Sequence, residues 1–269
     1  MRGLQVSIAR KVYRRNQVVA IDGLTFHADR GEFVAIVGPS GAGKTTLLNT
    51  VSGIDSDFDG EVLLEGEAIQ HGRATTQRIG FLFQDSRLMP WLSVFDNIQL
   101  VLGRDRAARE KAAALVEQVG LTEFTAAFPG QLSGGMQRRV ALARAFAVEP
   151  RLLLMDEPFQ SLDAPTANFL RGLLLTLWSE TQSIVLFVTH SLREALALAD
   201  RVIFLSSRPA RAVLDFTVAL PRPRALESPS INALHDELLW RHPDLLSGCS
   251  EEESPRRAPV VLGGGRPNG

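Results

Sequence analysis

Residues 38–46 read Gly-Pro-Ser-Gly-Ala-Gly-Lys-Thr-Thr, and Gly38 to Thr45 fit G-x-x-x-x-G-K-[ST]. The run follows the apolar stretch Phe33-Val34-Ala35-Ile36-Val37 and precedes Leu47-Leu48-Asn49-Thr50-Val51. The loop therefore lies where a buried strand passes into a helix, the setting that the motif requires. The physical demand is to hold a polyphosphate. Glycines let backbone N–H groups approach phosphate oxygens, and the following helix N-terminus adds partial positive charge. Gly38, Pro39, Ser40, Gly41, Ala42, Gly43, Lys44, Thr45 and Thr46 form the candidate cradle. Lys44 would reach the β- and γ-phosphates, and the Thr45 hydroxyl would ligate Mg²⁺. A chain built this way binds ATP or GTP.

Composition narrows the class. The 269 residues are enough for one large or two small domains. A formal charge of −1 gives no bulk electrostatic case for nucleic acid as a partner. The single cysteine, Cys249, rules out an internal disulfide framework and suits a reducing cytosol. Apolar runs such as Ile184–Val188 have strand length, and Met1–Gln5 lacks a signal peptide's apolar core. The expectation is a soluble chain, or one that sits on a membrane through other subunits.

Along the chain, residues 4–36 read as short strands with turns at Asp22-Gly23 and at Asp29–Glu32. Gly60–Gly66 and Ile79–Gln84 read as further strands. From about 86 to 149 the pattern is helical, with Ala108, Ala112, Leu115, Val116 and Val119 on a core face, and a second helix runs from Gly135 to Ala147. Leu152–Met155 is a buried strand that ends in Asp156-Glu157. A helix over 165–180 follows, then a strand over 183–188 that ends at Thr189-His190. Ser191 and Glu194 form an S-x-x-E capping box for a helix to Leu198, and Val202–Leu205 is the last core strand. Buried strands alternating with helices predict an α/β fold with a largely parallel sheet. Pro221–Arg224 reads as semi-extended, 226–246 as a helical extension, and 247–269 as a disordered tail too poor in apolar residues to order itself. No internal repeat is present.

Nucleotide hydrolysis needs carboxylates as well as a phosphate cradle. Asp156 would hold Mg²⁺, and Glu157 would orient and deprotonate the attacking water; helix capping or a solvated turn is the plain alternative for such a pair. Leu132-Ser133-Gly134-Gly135-Met136-Gln137 places a hydroxyl and two glycines at a helix start, a second anion site in a chain with one cradle. With these elements in order, the chain resembles the ATP-binding-cassette family over roughly residues 4–225. Leu132–Gln137 is similar to the signature motif, Ser161-Leu162-Asp163 to the D-loop, His190 to the switch histidine, Gln84 to the Q-loop glutamine and Tyr13 to the adenine-stacking aromatic.

The resemblance implies a P-loop ATPase domain over 1–225, with a mostly parallel core sheet, an N-terminal antiparallel β subdomain and a helical signature subdomain at about 86–149. It also implies ATP and Mg²⁺ as cofactors and a head-to-tail dimer, in which Ser133, Gly134, Gly135 and Asp163 serve the nucleotide held by the other subunit. His190 would sense the γ-phosphate, and Gln84 would contact the metal and link nucleotide state to membrane subunits. One departure stands out. Position 160 is usually small in close relatives, and here Gln160 could perturb the D-loop or add a contact across the dimer.

Leu88-Met89-Pro90-Trp91, shortly after Gln84, is similar to the importer subunits for nitrate, sulfonate, taurine and bicarbonate. That likeness implies transmembrane permease subunits, indirectly a solute-binding protein, and a peripheral place on the cytoplasmic face of the inner membrane. Trp91 would either dock a permease helix or pack within its own subdomain. A cassette acting in translation or DNA repair is the alternative; such members usually carry two cassettes or long coiled-coil insertions, and neither is seen here.

Overall fold

The computed structural model describes residues 2–15, 17–69 and 78–246. The reading of 247–269 as a disordered tail lies outside the described residues. Two sheets organise the chain. Strands β1 (Arg2–Tyr13), β2 (Val18–Asp29), β4 (Asp59–Leu64) and β5 (Glu67–Ala68) form an antiparallel sheet in the order β2-β1-β4-β5. The core sheet has the order β10-β9-β3-β8-β7-β6, from β3 (Phe33–Val37), β6 (Ile79–Leu82), β7 (Leu152–Asp156), β8 (Ile184–Thr189), β9 (Arg201–Leu205) and β10 (Ala212–Thr217). Its pairings are parallel except for β10, which runs antiparallel along β9.

The central strands are apolar throughout because both of their faces are covered. Every residue of β3, β7 and β8 is buried. Alternate residues serve different cores. Val34, Ile36, Leu152, Leu154, Ile184, Leu186 and Val188 face a core shared with the antiparallel sheet and with Leu47, Leu48 and Val51 of helix α1 (Lys44–Val51). Phe33, Ala35, Leu153, Met155, Val185 and Phe187 face the second core. That core receives α2 (Val94–Gln99), α3 (Arg106–Gln118), α4 (Gly134–Ala147), α5 (Ala164–Thr181), α6 (Leu192–Leu198) and α7 (Pro229–Arg241). Phe187 meets Phe33 and Phe159 edge-on, with centroids 6.0 and 5.7 Å away.

Three local expectations are corrected. Asp22-Gly23 is no turn: both residues lie inside β2, with Gly23 at φ 73° within the long pairing to β1. Val202–Leu205 is not the last strand, because β10 closes the sheet edge. Ser191 does cap α6 by accepting from the Glu194 N–H, but the reciprocal half of the box is missing. Glu194 instead accepts from Thr189 Oγ1 and from Arg171, and the Ser191 N–H donates to Thr189 Oγ1.

Candidate nucleotide site

The phosphate loop leaves the C-terminal end of β3 and enters α1 through Gly43, which adopts φ 100°. A Cβ there would lie 3.0 Å from the Ala20 carbonyl oxygen, so both the dihedral and the space call for glycine. The start of α1 has no side-chain cap and no acidic residue in its first turn. Its N–H groups and dipole therefore face the loop uncompensated, as an incoming polyphosphate requires.

Lys44 is buried at 6% exposure. Its ammonium donates to the carbonyls of Gly38 and Pro39 at 2.8 and 3.0 Å, with Glu157 Oε1 at 3.9 Å. Burial lowers its pKa, opposed by the nearby Glu157 and Asp156. A buried cation with only carbonyls in close contact is suited to a phosphate anion.

Asp156 ends β7 and accepts from Thr45 Oγ1 at 2.8 Å. Burial raises its pKa, and the Thr45 hydrogen bond works against that rise. Hydroxyl plus one carboxylate is a sparse, hard-oxygen set. It matches Mg²⁺, which takes one or two carboxylates and completes its shell with phosphates and water. No cluster of three or more His, Cys, Asp or Glu fit to hold a metal alone exists among the described residues. The residues present therefore fit a metal that arrives with a nucleotide.

Glu157 is held in the left-handed region, φ 44°, with its N–H donating to the Val188 carbonyl at 2.9 Å. A non-glycine residue there costs on the order of 1–3 kcal/mol, a strain that clusters at functional sites. Its carboxylate meets His190 Nδ1 at 2.9 Å. Tyr13 is 38% exposed, with its hydroxyl 2.9 Å from Thr46 Oγ1 and its ring 5.0 Å from the Lys11 ammonium. Lys11 is itself 2% exposed and paired with Asp55 at 2.7 Å.

The fold thus brings Lys44, Thr45, Asp156, Glu157 and His190 together. Ser133 and Gly135 are engaged locally, with Ser133 Oγ accepting from the Met136 N–H and Gly135 against Thr166 of α5, whereas Gly134 faces open space. Asp163 caps α5 by accepting from the Thr166 N–H at 3.1 Å, and hydrogen bonding from the Thr166 side chain first, then from this N–H, holds its pKa down. Gln84 follows β6 on a segment fixed by α4, where Arg138 donates to the Phe83 carbonyl and Arg144 to those of Ser86 and Arg87. Three contacts escaped the sequence reading, one of them made by Gln160, whose position but not whose partner the sequence had marked. Lys11 supports Tyr13. Arg208 donates to the Gly41 carbonyl at 3.1 Å. Gln160 accepts from Gln84 Nε2. No local spacing signals any of the three.

The ABC transporter family profile matches residues 21–160. The chain belongs to the ABC transporter family. Its relatives include an aliphatic sulfonates import ATP-binding protein SsuB of Bacillus cereus, 39% identical over 223 residues, which span 82% of this chain and 88% of that protein. The SsuB of Cupriavidus pinatubonensis is 40% identical over 259 residues, 95% of this chain and 84% of that one. Among solved structures, the cassette MJ0796, dimeric and bound to ADP and Pi, superposes with a TM-score of 0.72 at 29% identity, covering 81% of this chain and all of that one. As an ABC cassette the chain is an ATPase with an α/β fold. No helix among the described residues is long and apolar enough to cross a membrane.

Proposed function

We propose that this cassette is the ATP-hydrolysing subunit of an importer for sulfonates or related small solutes such as nitrate, taurine or bicarbonate. The observation that carries the reading is the likeness, at about 40% identity over most of the chain, to subunits named for aliphatic sulfonate import. Nothing in the cassette reads the solute. Selection would rest with transmembrane permease subunits and, behind them, a solute-binding protein. The cassette would then sit peripherally on the cytoplasmic face of the inner membrane.

In this reading the cradle of residues 38–46 and the α1 N-terminus hold the phosphates, with Lys44 on the β- and γ-groups, and Tyr13 stacks on adenine. Thr45, Asp156 and Gln84 hold Mg²⁺, which when bound neutralises charge that develops on the phosphates. Glu157 takes the proton of the attacking water, and His190, already on the Glu157 carboxylate, hydrogen-bonds the γ-phosphate. Ser133, Gly134, Gly135 and Asp163 serve the nucleotide of a second copy in a head-to-tail dimer. The local bonds of Ser133 to α4 and of Asp163 to α5, and the dimeric state of MJ0796, support that arrangement.

Trp91 is 70% exposed, which disfavours a role as a core residue of its own subdomain. The reading makes it a docking side chain for a permease helix. Trp91→Ala should leave melting temperature and ATP affinity near wild type, because little packing is lost. Co-purification with a candidate permease should fall roughly thirtyfold in affinity, the loss of about 2 kcal/mol typical of an aromatic anchor. Uptake of a sulfonate into vesicles carrying the assembled complex should fall with it. A variant that melts early and loses ATP would end the docking reading. Intact complexes whose ATPase ignores every oxyanion solute would end the importer reading.

A further inference from the structure

Gln160 lies between two anchored points. Its own N–H donates to the Glu157 carbonyl at 3.2 Å, and its neighbour Phe159 is buried against Phe187. Gln84 is equally fixed in its backbone, because α4 holds the carbonyls on either side of it through Arg138 and Arg144. With both backbones held, the two side-chain amides meet, and Gln84 Nε2 donates to Gln160 Oε1. An amide has two chemically different ends, a donor NH₂ and an acceptor oxygen. The bond to Gln160 occupies the donor end. Gln84 Oε1 takes no part in that bond.

We propose that Gln160 is a positioning residue that sets the orientation of the Gln84 amide, so that its oxygen, and not its nitrogen, faces the Mg²⁺ of bound nucleotide. Only the oxygen can ligate a hard cation, so the wrong orientation would turn two N–H donors toward Mg²⁺. The inference rests on the reading of Gln84 as a metal-contacting residue and adds what orders it. An acceptor at position 160 is the essential property; size alone does not supply it.

The test uses the full chain in a Glu157→Gln background, so that ATP is bound and not consumed. Affinity for ATP is measured by calorimetry with Mg²⁺ and again in EDTA, and the ratio of the two is the readout. Gln160→Met keeps the length of the side chain and removes the acceptor. It should lower the Mg²⁺-dependent gain about two- to tenfold, the worth of one neutral hydrogen bond, and leave affinity in EDTA unchanged. Gln160→Glu, which can only accept when ionised, should restore the gain. Gln160→Ala serves as a second variant should Gln160→Met fold poorly. In a Gln84→Ala background all three should be silent. Amide NMR of the metal-free protein gives an independent reading, because the Gln84 Nε2 protons should shift in Gln160→Met and return in Gln160→Glu.

A wild-type Mg²⁺ gain in Gln160→Met, with Gln84→Ala reducing it, would overturn the positioning role alone. A wild-type gain in Gln84→Ala would overturn the metal assignment of Gln84 and the inference with it. Equal losses with and without Mg²⁺ would mean a general structural role for Gln160 and would also sink the proposal.

Discussion

At Glu157 a single carboxylate is shared between a histidine at 2.9 Å and a lysine at 3.9 Å, on a backbone held at positive φ. In its proposed role as the base, a carboxylate placed this firmly would need little reorganisation to take a proton. Glu157→Gln keeps size and hydrogen bonding but cannot accept the proton, so ATPase turnover should fall about 10²–10⁴-fold while ATP binding persists. Steady-state turnover beside an equilibrium binding titration checks this, and near wild-type turnover would remove Glu157 as the base. Asp156 makes a second prediction. Burial raises its pKa, with the Thr45 hydrogen bond opposing. The metal-free fold is therefore favoured with Asp156 protonated and loses stability as pH rises through the raised value. Asp156→Asn removes that loss. In EDTA, its melting temperature should gain on wild type as pH rises from about 4, near the usual aspartate value, toward neutrality. The opposite trend would show that Lys44 outweighs desolvation.

At the scale of elements, the informative contact is between the starts of α4 and α5. Ser133 caps the first and Asp163 the second. Gly135 joins them, because a Cβ there would stand 2.4 Å from Thr166 Cγ2. Gly134, one residue earlier, would meet nothing within 4 Å. The two glycines therefore have different reasons to exist. Gly135→Ala should destabilise the fold by about 1–3 kcal/mol through overpacking. Gly134→Ala should leave the fold intact or stabilise it by up to about 1 kcal/mol of helix propensity, yet lower ATPase activity if the α4 N-terminus must approach a partner's phosphate. Denaturant melts of both variants beside their ATPase rates separate the cases. Equal destabilisation would show that the asymmetry is wrong.

At the scale of the whole molecule, the candidate cradle and the signature-like run stand at the starts of two different helices, α1 and α4. The cradle sits at the end of β3, and Ser133 caps α4 by accepting from the Met136 N–H. The proposed head-to-tail dimer would bring one chain's Ser133 to the other chain's Lys44. Specific ATPase activity should rise with protein concentration through the dimerisation range. Lys44→Ala and Ser133→Arg should each be inactive alone, and mixing them should restore measurable activity, since the mixed dimer holds one site with Lys44 and Ser133 both intact. Activity per mole that stays constant on dilution far below that range would refute the composite site.

The sequence alone determined the elements whose information is contiguous. β3, β7 and β8 were legible as unbroken apolar runs because both faces of each strand are covered, and the glycine spacing at 38–43 named the turn into α1. The core face of α3 was legible from its 3.6-residue period, which Ala108, Ala112, Leu115 and Val116 follow into the interior. The edge strand β10 escaped because an edge is half exposed and carries no apolar run. Asp22-Gly23 misled because its local turn chemistry yields to the pairing of two twelve-residue strands, β1 and β2. Only the tertiary structure decided that Gln84 meets Gln160 across 76 residues, that Arg208 reaches Gly41 across 167, and that the half-box at Ser191 loses Glu194 to Arg171 and Thr189. Helical and strand periods record which face a residue occupies. Which distant polar group it meets depends on chain crossings that no local period encodes.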